Sequence, residues 1–144
     1  MIRYLICIIS LIMFLSCTAF AADVIIVNRN NPINDISSAQ LKKMYNGRIK
    51  FWDDGTKIVP VDLVDDNPSA LRFANVILGV DLETKRRFWM QKLYAGAGTP
   101  PQQETNYTKV ISFVAAEPGA IGYVKKENVT SSVKLITVDG KQDY

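Results

Sequence analysis

What most restricts the fold of this chain is its punctuation, in which short apolar runs alternate with capped helical patterns and Gly, Pro or Asn closes each one. Residues 24–28 form a Val/Ile run ending in Asn28, the pattern of a buried strand. Asn30-Asn31-Pro32 is a turn, and Ser37 or Ser38 then caps a helix through about residue 45. Leu41, Met44 and Tyr45 share one face of that helix, and Gly47 stops it. Asp53-Asp54-Gly55 signals a tight turn, and residues 57–64 read as a second strand. Asn67 is a favoured N-cap, and Pro68 suits the first helical position because its missing N–H had no partner there. The helix that follows presents Leu71, Phe73, Ala74, Ile77 and Leu78, and ends at Gly79. A third helix is expected over residues 82–94 with Phe88, Trp89, Leu93 and Tyr94 as its buried side. The Gly- and Pro-rich residues 96–101 exclude helix and central strand. A fourth helix over 106–116 turns Val110, Ile111, Phe113 and Val114 inward, and strands follow at 120–125 and 133–138. The resulting order, β-α-β-α-α-α-β-β, is that of an α/β fold with helices packed on a sheet. No linker divides it.

Residues 1–21 have the three-part grammar of an export signal. Arg3 supplies a short positive region, residues 4–20 carry no charge, and Ala19-Phe20-Ala21 offers small residues for cleavage before Ala22. A retained membrane helix is the alternative, but an apolar stretch of roughly 17 residues is at the lower limit for spanning a bilayer. Lipid attachment at Cys17 is a second alternative; Phe14-Leu15-Ser16 departs from the usual pattern before a lipidated cysteine. The expected division is a signal over 1–21 and one domain over 22–144.

Cys7 and Cys17 both lie inside the signal, and the chain has no histidine. The exported portion therefore lacks disulfides, thiol chemistry and cysteine-ligated metal, as well as the usual general base near neutral pH. No G-x-S-x-G nucleophile motif is present either. These absences point to a non-catalytic protein without a metal or cofactor. The formal charge of +3 is too mild to imply nucleic acid or an anionic membrane surface. Lys42-Lys43 and Lys85-Arg86-Arg87 read as solvated helix faces, and Asp53-Asp54 as a turn rather than a metal site. Trp52 and Trp89 suit either the core or an exposed groove.

Several segments taken together resemble one family. They are Val24-Ile25-Ile26-Val27-Asn28, the helix Leu41-Lys42-Lys43-Met44-Tyr45-Asn46-Gly47 followed by Trp52, Ile58-Val59-Pro60-Val61, the helix start near Asn67 leading to Phe73, and Pro118-Gly119-Ala120-Ile121-Gly122-Tyr123-Val124. The family is that of the phosphate-binding periplasmic proteins of ABC importers, which have a type 2 periplasmic-binding fold. The chain resembles the second lobe only of a two-lobed protein, and is similar to short stand-alone relatives from bacterial envelopes. The resemblance implies a single lobe with a mixed sheet flanked by helices.

It also implies a place for a ligand. In the family the second lobe holds phosphate with an Arg at a strand end and an S-G-T at the next helix start, where free N–H groups and the positive dipole end favour an anion. The matching positions here are Leu63 for the Arg and Asn67-Pro68-Ser69 for the S-G-T. The Arg is absent, Pro68 removes one N–H, and Asp65 and Asp66 add negative charge. Asn67, Ser69, the Ala70 N–H and Arg72 remain as an oxyanion-binding set, against the alternative of a well-capped helix with no ligand. The loop of Gly96, Gly98 and Thr99 is a secondary candidate, as an anion-binding nest or as a plain connection. The function expected is an exported, periplasmic, non-catalytic solute-binding module for phosphate or a similar oxyanion. The alternative is an envelope accessory domain that binds a protein partner, or a second copy of itself, and has lost its ligand. No membrane insertion of the exported portion is expected.

Overall fold

The computed structural model describes residues 22–144. The export signal expected over 1–21, its cleavage site and Cys17 lie outside the described residues. Six strands form one mixed sheet: β1 (Asp23–Asn28), β2 (Asp35–Ile36), β3 (Val59–Leu63), β4 (Gln102–Glu104), β5 (Ala120–Lys125) and β6 (Val133–Val138). Their order is β2-β6-β1-β5-β3-β4. β1 runs antiparallel to both neighbours, with Ile25 opposite Tyr123 of β5 and Ile136 of β6. β3 lies parallel to β5 and β4, and β2 parallel to β6.

β1 is central because its side chains are apolar on both faces: Val24, Ile25, Ile26 and Val27 are all fully buried. Each contributes about 1.5–3 kcal/mol relative to exposure. Asn28 closes the strand, its Nδ2 donating to the Val114, Ala115 and Glu117 carbonyls at 3.0, 3.2 and 3.2 Å. These carbonyls belong to the C-terminal end of a helix, where backbone acceptors lack intrahelical partners.

Helix α1 (Ser38–Tyr45) has a capping box between Ser37 and Gln40 and buries Leu41, Met44 and Tyr45. The Tyr45 hydroxyl donates to the Val61 carbonyl at 2.8 Å. Helix α2 (Pro68–Phe73) has only six residues and continues into a π-helical turn, Ala74–Leu78, that ends at Gly79. Helix α3 (Leu82–Tyr94) and helix α4 (Tyr107–Ala116) complete the fold. Phe73 stacks on Tyr123 with ring centroids 4.3 Å apart, and Tyr45 tilts against Phe73 at 4.5 Å.

The Pro118–Val124 motif has a packing reason. A Cβ on Gly119 would lie 1.8 Å from the Lys57 carbonyl oxygen, and one on Gly122 would lie 2.9 Å from Val110 Cγ1. Trp52 belongs to the core, its Nε1 donating to the Gly119 carbonyl at 3.1 Å.

Several expectations need correction. Leu93 and Tyr94 are not the buried side of α3: they are 57% and 86% exposed, and Lys85 is the helix's single buried residue. Lys85 is accordingly no part of a solvated face. Leu71 of α2 points outward, and Phe113 of α4 is half-buried. β2 and β4, two and three residues long, were not foreseen, because runs so short carry no measurable period.

Candidate functional site

β3 delivers the chain to the start of α2. The Asn67 N–H donates to the Val64 carbonyl at 3.0 Å and closes the turn after Leu63. Asn67 then caps the helix, Oδ1 accepting from the Ser69 N–H at 2.9 Å. The Ala70 N–H donates to the Asn67 backbone carbonyl at 3.0 Å. Both backbone donors expected for an oxyanion are therefore engaged within the turn.

The side chains are engaged as well. Ser69 is fully buried, and its Oγ donates to Asp23 Oδ1 at 2.8 Å. The Tyr107 hydroxyl lies 2.7 Å from that Oγ and 3.2 Å from Asn67 Oδ1. Arg72 Nη1 meets the other Asp23 oxygen at 2.7 Å. Asp23, the first residue of β1, is fully buried, and its carboxylate takes the Ser69 hydroxyl and the Arg72 guanidinium expected for a ligand. A second anion brought to ~4 Å from it would meet a repulsion of about 4 kcal/mol at an effective dielectric of 20. Sequence carries one signal for Asp23: an ionisable side chain that opens a run buried on both faces needs a partner.

A second polar cluster lies beside the last residues of β3. Lys85 Nζ is 2.7 Å from Asp62 Oδ2 and 3.5 Å from Asp65 Oδ1, and Arg86 Nη2 is 2.7 Å from Asp65 Oδ2. The Tyr123 hydroxyl donates to the other Asp62 oxygen and accepts the Leu63 N–H. Burial opposes ionisation of Asp65, but the Arg86 hydrogen bond and the Lys85 charge outweigh it and hold the carboxyl below its ordinary range. Burial, and then the Asp62 charge, push the Tyr123 phenol far upward, so it stays a neutral donor. Asp62 and Lys85 escaped the sequence reading. Nothing in Lys85-Arg86-Arg87 marks which of the three turns inward.

The 96–99 loop lies towards the opposite end of β3. Gly96 is exposed, and its N–H closes α3 onto the Leu93 carbonyl at 3.1 Å. Gly98 and Thr99 line a cavity of about 350 Å³ together with Lys50, Lys57, Lys92 and Trp89. Its lining includes three lysines and no carboxylate. Lys92 Nζ donates to the Asn46 carbonyl at 2.6 Å and sits 5.2 Å from the Trp89 ring centroid. Lys50 and Lys57 are exposed and make no ion pair among the described residues. A larger cavity of about 660 Å³ lies across residues 99–102, with Asp62, Asp65, Lys85 and Arg86 in its wall. Two acids and two bases balance there. The structure thus keeps the α2 start and the glycine loop apart, and places net positive charge only at the loop. Among the described residues no group of three or more acidic, histidine or cysteine side chains converges to hold a metal ion.

The family model for the PBP superfamily domain matches residues 19–140. The chain belongs to the PBP superfamily. Its six-stranded mixed sheet with flanking helices is the periplasmic-binding-protein fold. This PBP-superfamily chain is 29% identical over 119 residues to the phosphate-binding protein PstS of Bacillus subtilis (strain 168), covering 79% of the chain and 35% of that protein. It superposes with a TM-score of 0.69 and 20% identity on an ABC-type phosphate transport receptor from Vibrio cholerae, covering 85% of this chain and 48% of that one. A phosphate ABC transporter substrate-binding protein from Clostridium perfringens, solved with bound phosphate, gives a TM-score of 0.66 and 26% identity over 85% of this chain and 46% of that one. This PBP-superfamily chain therefore spans about a third to a half of the length of these relatives. No helix among its described residues is long and apolar enough to cross a membrane.

Proposed function

We propose that this chain is an exported, non-catalytic solute-binding module of the bacterial periplasm, taking a small oxyanion of the phosphate type. The observation that carries the reading is the cavity beside Gly98 and Thr99, whose described lining holds Lys50, Lys57 and Lys92 and no carboxylate. The phosphate-binding relatives add phosphate as the ligand class. At the α2 start, Ser69 and Arg72 already hold the Asp23 carboxylate while Asn67 and the Ala70 N–H are engaged in the turn, which favours the loop as the anion's place. A cavity open to water on one side binds weakly by itself, so firm capture calls for a second surface from another copy or an envelope protein. A role in ABC transport enters through the same relatives.

Calorimetric titration of the purified protein with phosphate and sulfate tests this reading. Saturable heats at sub-millimolar to millimolar anion, weakened by added salt, are expected. No heat up to tens of millimolar anion refutes the anion reading.

A second reading, an accessory domain that docks a protein partner, is favoured by α3. Met90, Leu93 and Tyr94 are exposed on it, at 48%, 57% and 86%. Cross-linking from those positions in intact cells should recover a discrete partner, and recovery of the uncrosslinked protein alone counts against it.

A further inference from the structure

Resting on the loop-site reading, we infer that the lysine-lined cavity takes an organic anion whose charged head meets Lys50, Lys57 and Lys92 and whose flat apolar body lies along Trp89. Size is the first ground. The cavity measures about 350 Å³. A tetrahedral inorganic ion of five heavy atoms displaces only a few waters at ~30 Å³ each, and leaves most of that space wet. Pockets of this volume are of the scale that encloses an organic molecule.

The walls are the second ground. Besides the lysines they include the apolar side chains of Ile58, Pro60, Pro100 and Pro101 and the Trp89 indole. A bare inorganic oxyanion gains nothing from such a surface, whereas an aromatic or aliphatic body gains about 25 cal/mol per Å² it buries.

Fixing of the indole is the third ground. Trp89 Cη2 lies 3.3 Å from where a Cβ on Gly47 would stand, and Cζ3 lies 3.8 Å from the same position on Gly98. Two glycines thus make room for the ring edge. Phe88 meets the ring edge-on at 5.3 Å, and Lys92 Nζ lies over it. Lys92 is held in turn by the Asn46 carbonyl at 2.6 Å. A ring and an ammonium fixed together present an apolar face and a positive charge at a set spacing, so little ordering cost falls on binding.

The test uses phenyl phosphate and inorganic phosphate as probes at matched ionic strength. Calorimetry gives the affinities, and the two indole N–H resonances report which tryptophan responds. Phenyl phosphate is expected to bind at least tenfold more tightly than phosphate and to shift the Trp89 signal, leaving that of Trp52, which is bonded inside the core. The doubly exposed change Lys50→Ala with Lys57→Ala should weaken both probes tenfold or more without altering the circular dichroism spectrum. Trp89→Leu should erase the preference, so that this variant binds the two probes with the same affinity. Equal affinity for the two probes overturns the organic-anion inference and leaves the anion site standing. Failure of both to bind overturns the site itself. A preference that survives Trp89→Leu overturns the assignment of the apolar body to that ring.

Discussion

Replacing Lys85 by Met would separate a buried ionic lock from a solvated helix face. The Lys85 and Asp62 side chains are 8% and 6% exposed, with Nζ and Oδ2 2.7 Å apart. Met has nearly the helix propensity of Lys, so α3 itself loses almost nothing. What remains is the Asp62 carboxylate, buried and held only by the Tyr123 hydroxyl. Removing one partner of a buried pair costs about 3–5 kcal/mol, because the other charge stays desolvated. A domain of this size has a total stability of about 5–15 kcal/mol, so the variant should fold but with a large deficit. With a urea slope of about 2 kcal/mol per molar, the midpoint should fall by roughly 2 M. Urea denaturation followed by tryptophan fluorescence reads that shift. Adding Asp62→Asn should recover more than half of the loss, since the amide oxygen still accepts from Tyr123 and no buried charge is left. Arg86→Ala provides the contrast: Arg86 is 60% exposed, and its ion pair with Asp65 is worth about 0–1 kcal/mol. If Lys85→Met lowers the midpoint no more than Arg86→Ala does, the buried-lock reasoning is refuted.

Gly119→Ala should destabilise far more than Gly122→Ala, because the first methyl would collide with the Lys57 carbonyl and the second with a side-chain methyl of Val110 that can yield. The Gly122 change should cost about 1–3 kcal/mol by overpacking, and comparison of the two urea midpoints checks the order. Ser69→Ala should cost about 1–3 kcal/mol by depriving the buried Asp23 of a donor, while calorimetric anion affinity stays unchanged. Asp65 has a folded pKa below its ordinary value, so its ion pairs contribute stability above pH ~3.9 that is lost as the pH falls towards the depressed value. A carboxyl-carbon NMR titration should find its midpoint below ~3.9, moving upward in Arg86→Ala.

The long elements were legible because their signals were redundant. Asn67-Pro68 gave both a cap and a first-turn residue, and the 24–27 run allowed no solvent face. The resemblance located the Pro118–Val124 segment, and the Gly119 and Gly122 contacts supply the physical reason for its glycines. The edge strands were not legible: Gln102–Glu104 is wholly polar and gains its strand state only by pairing with β3. The α2 start is legible as a capped helix. That Ser69 and Arg72 there hold the Asp23 carboxylate depends on β1 beginning beside α2, a tertiary fact with no local trace. Lys85 illustrates the same limit, since its direction follows from the phase of α3 against β3. The glycine loop was a secondary candidate because Lys50, Lys57 and Lys92 stand far apart in sequence and only the fold gathers them.

Residues 99–102 have one more consequence. This short stretch, with Trp89, is a shared partition: it lines both the lysine-lined cavity and the larger, charge-balanced one. A partition that shifts to tighten one chamber widens or narrows its neighbour. An occupant of the chamber beside Met90 and Leu93 that moved this stretch would alter affinity in the lysine chamber, and by thermodynamic reciprocity the reverse would hold by the same factor. Solute and protein partner, the two readings of this molecule, would then be coupled occupants of adjoining rooms, each setting the other's affinity.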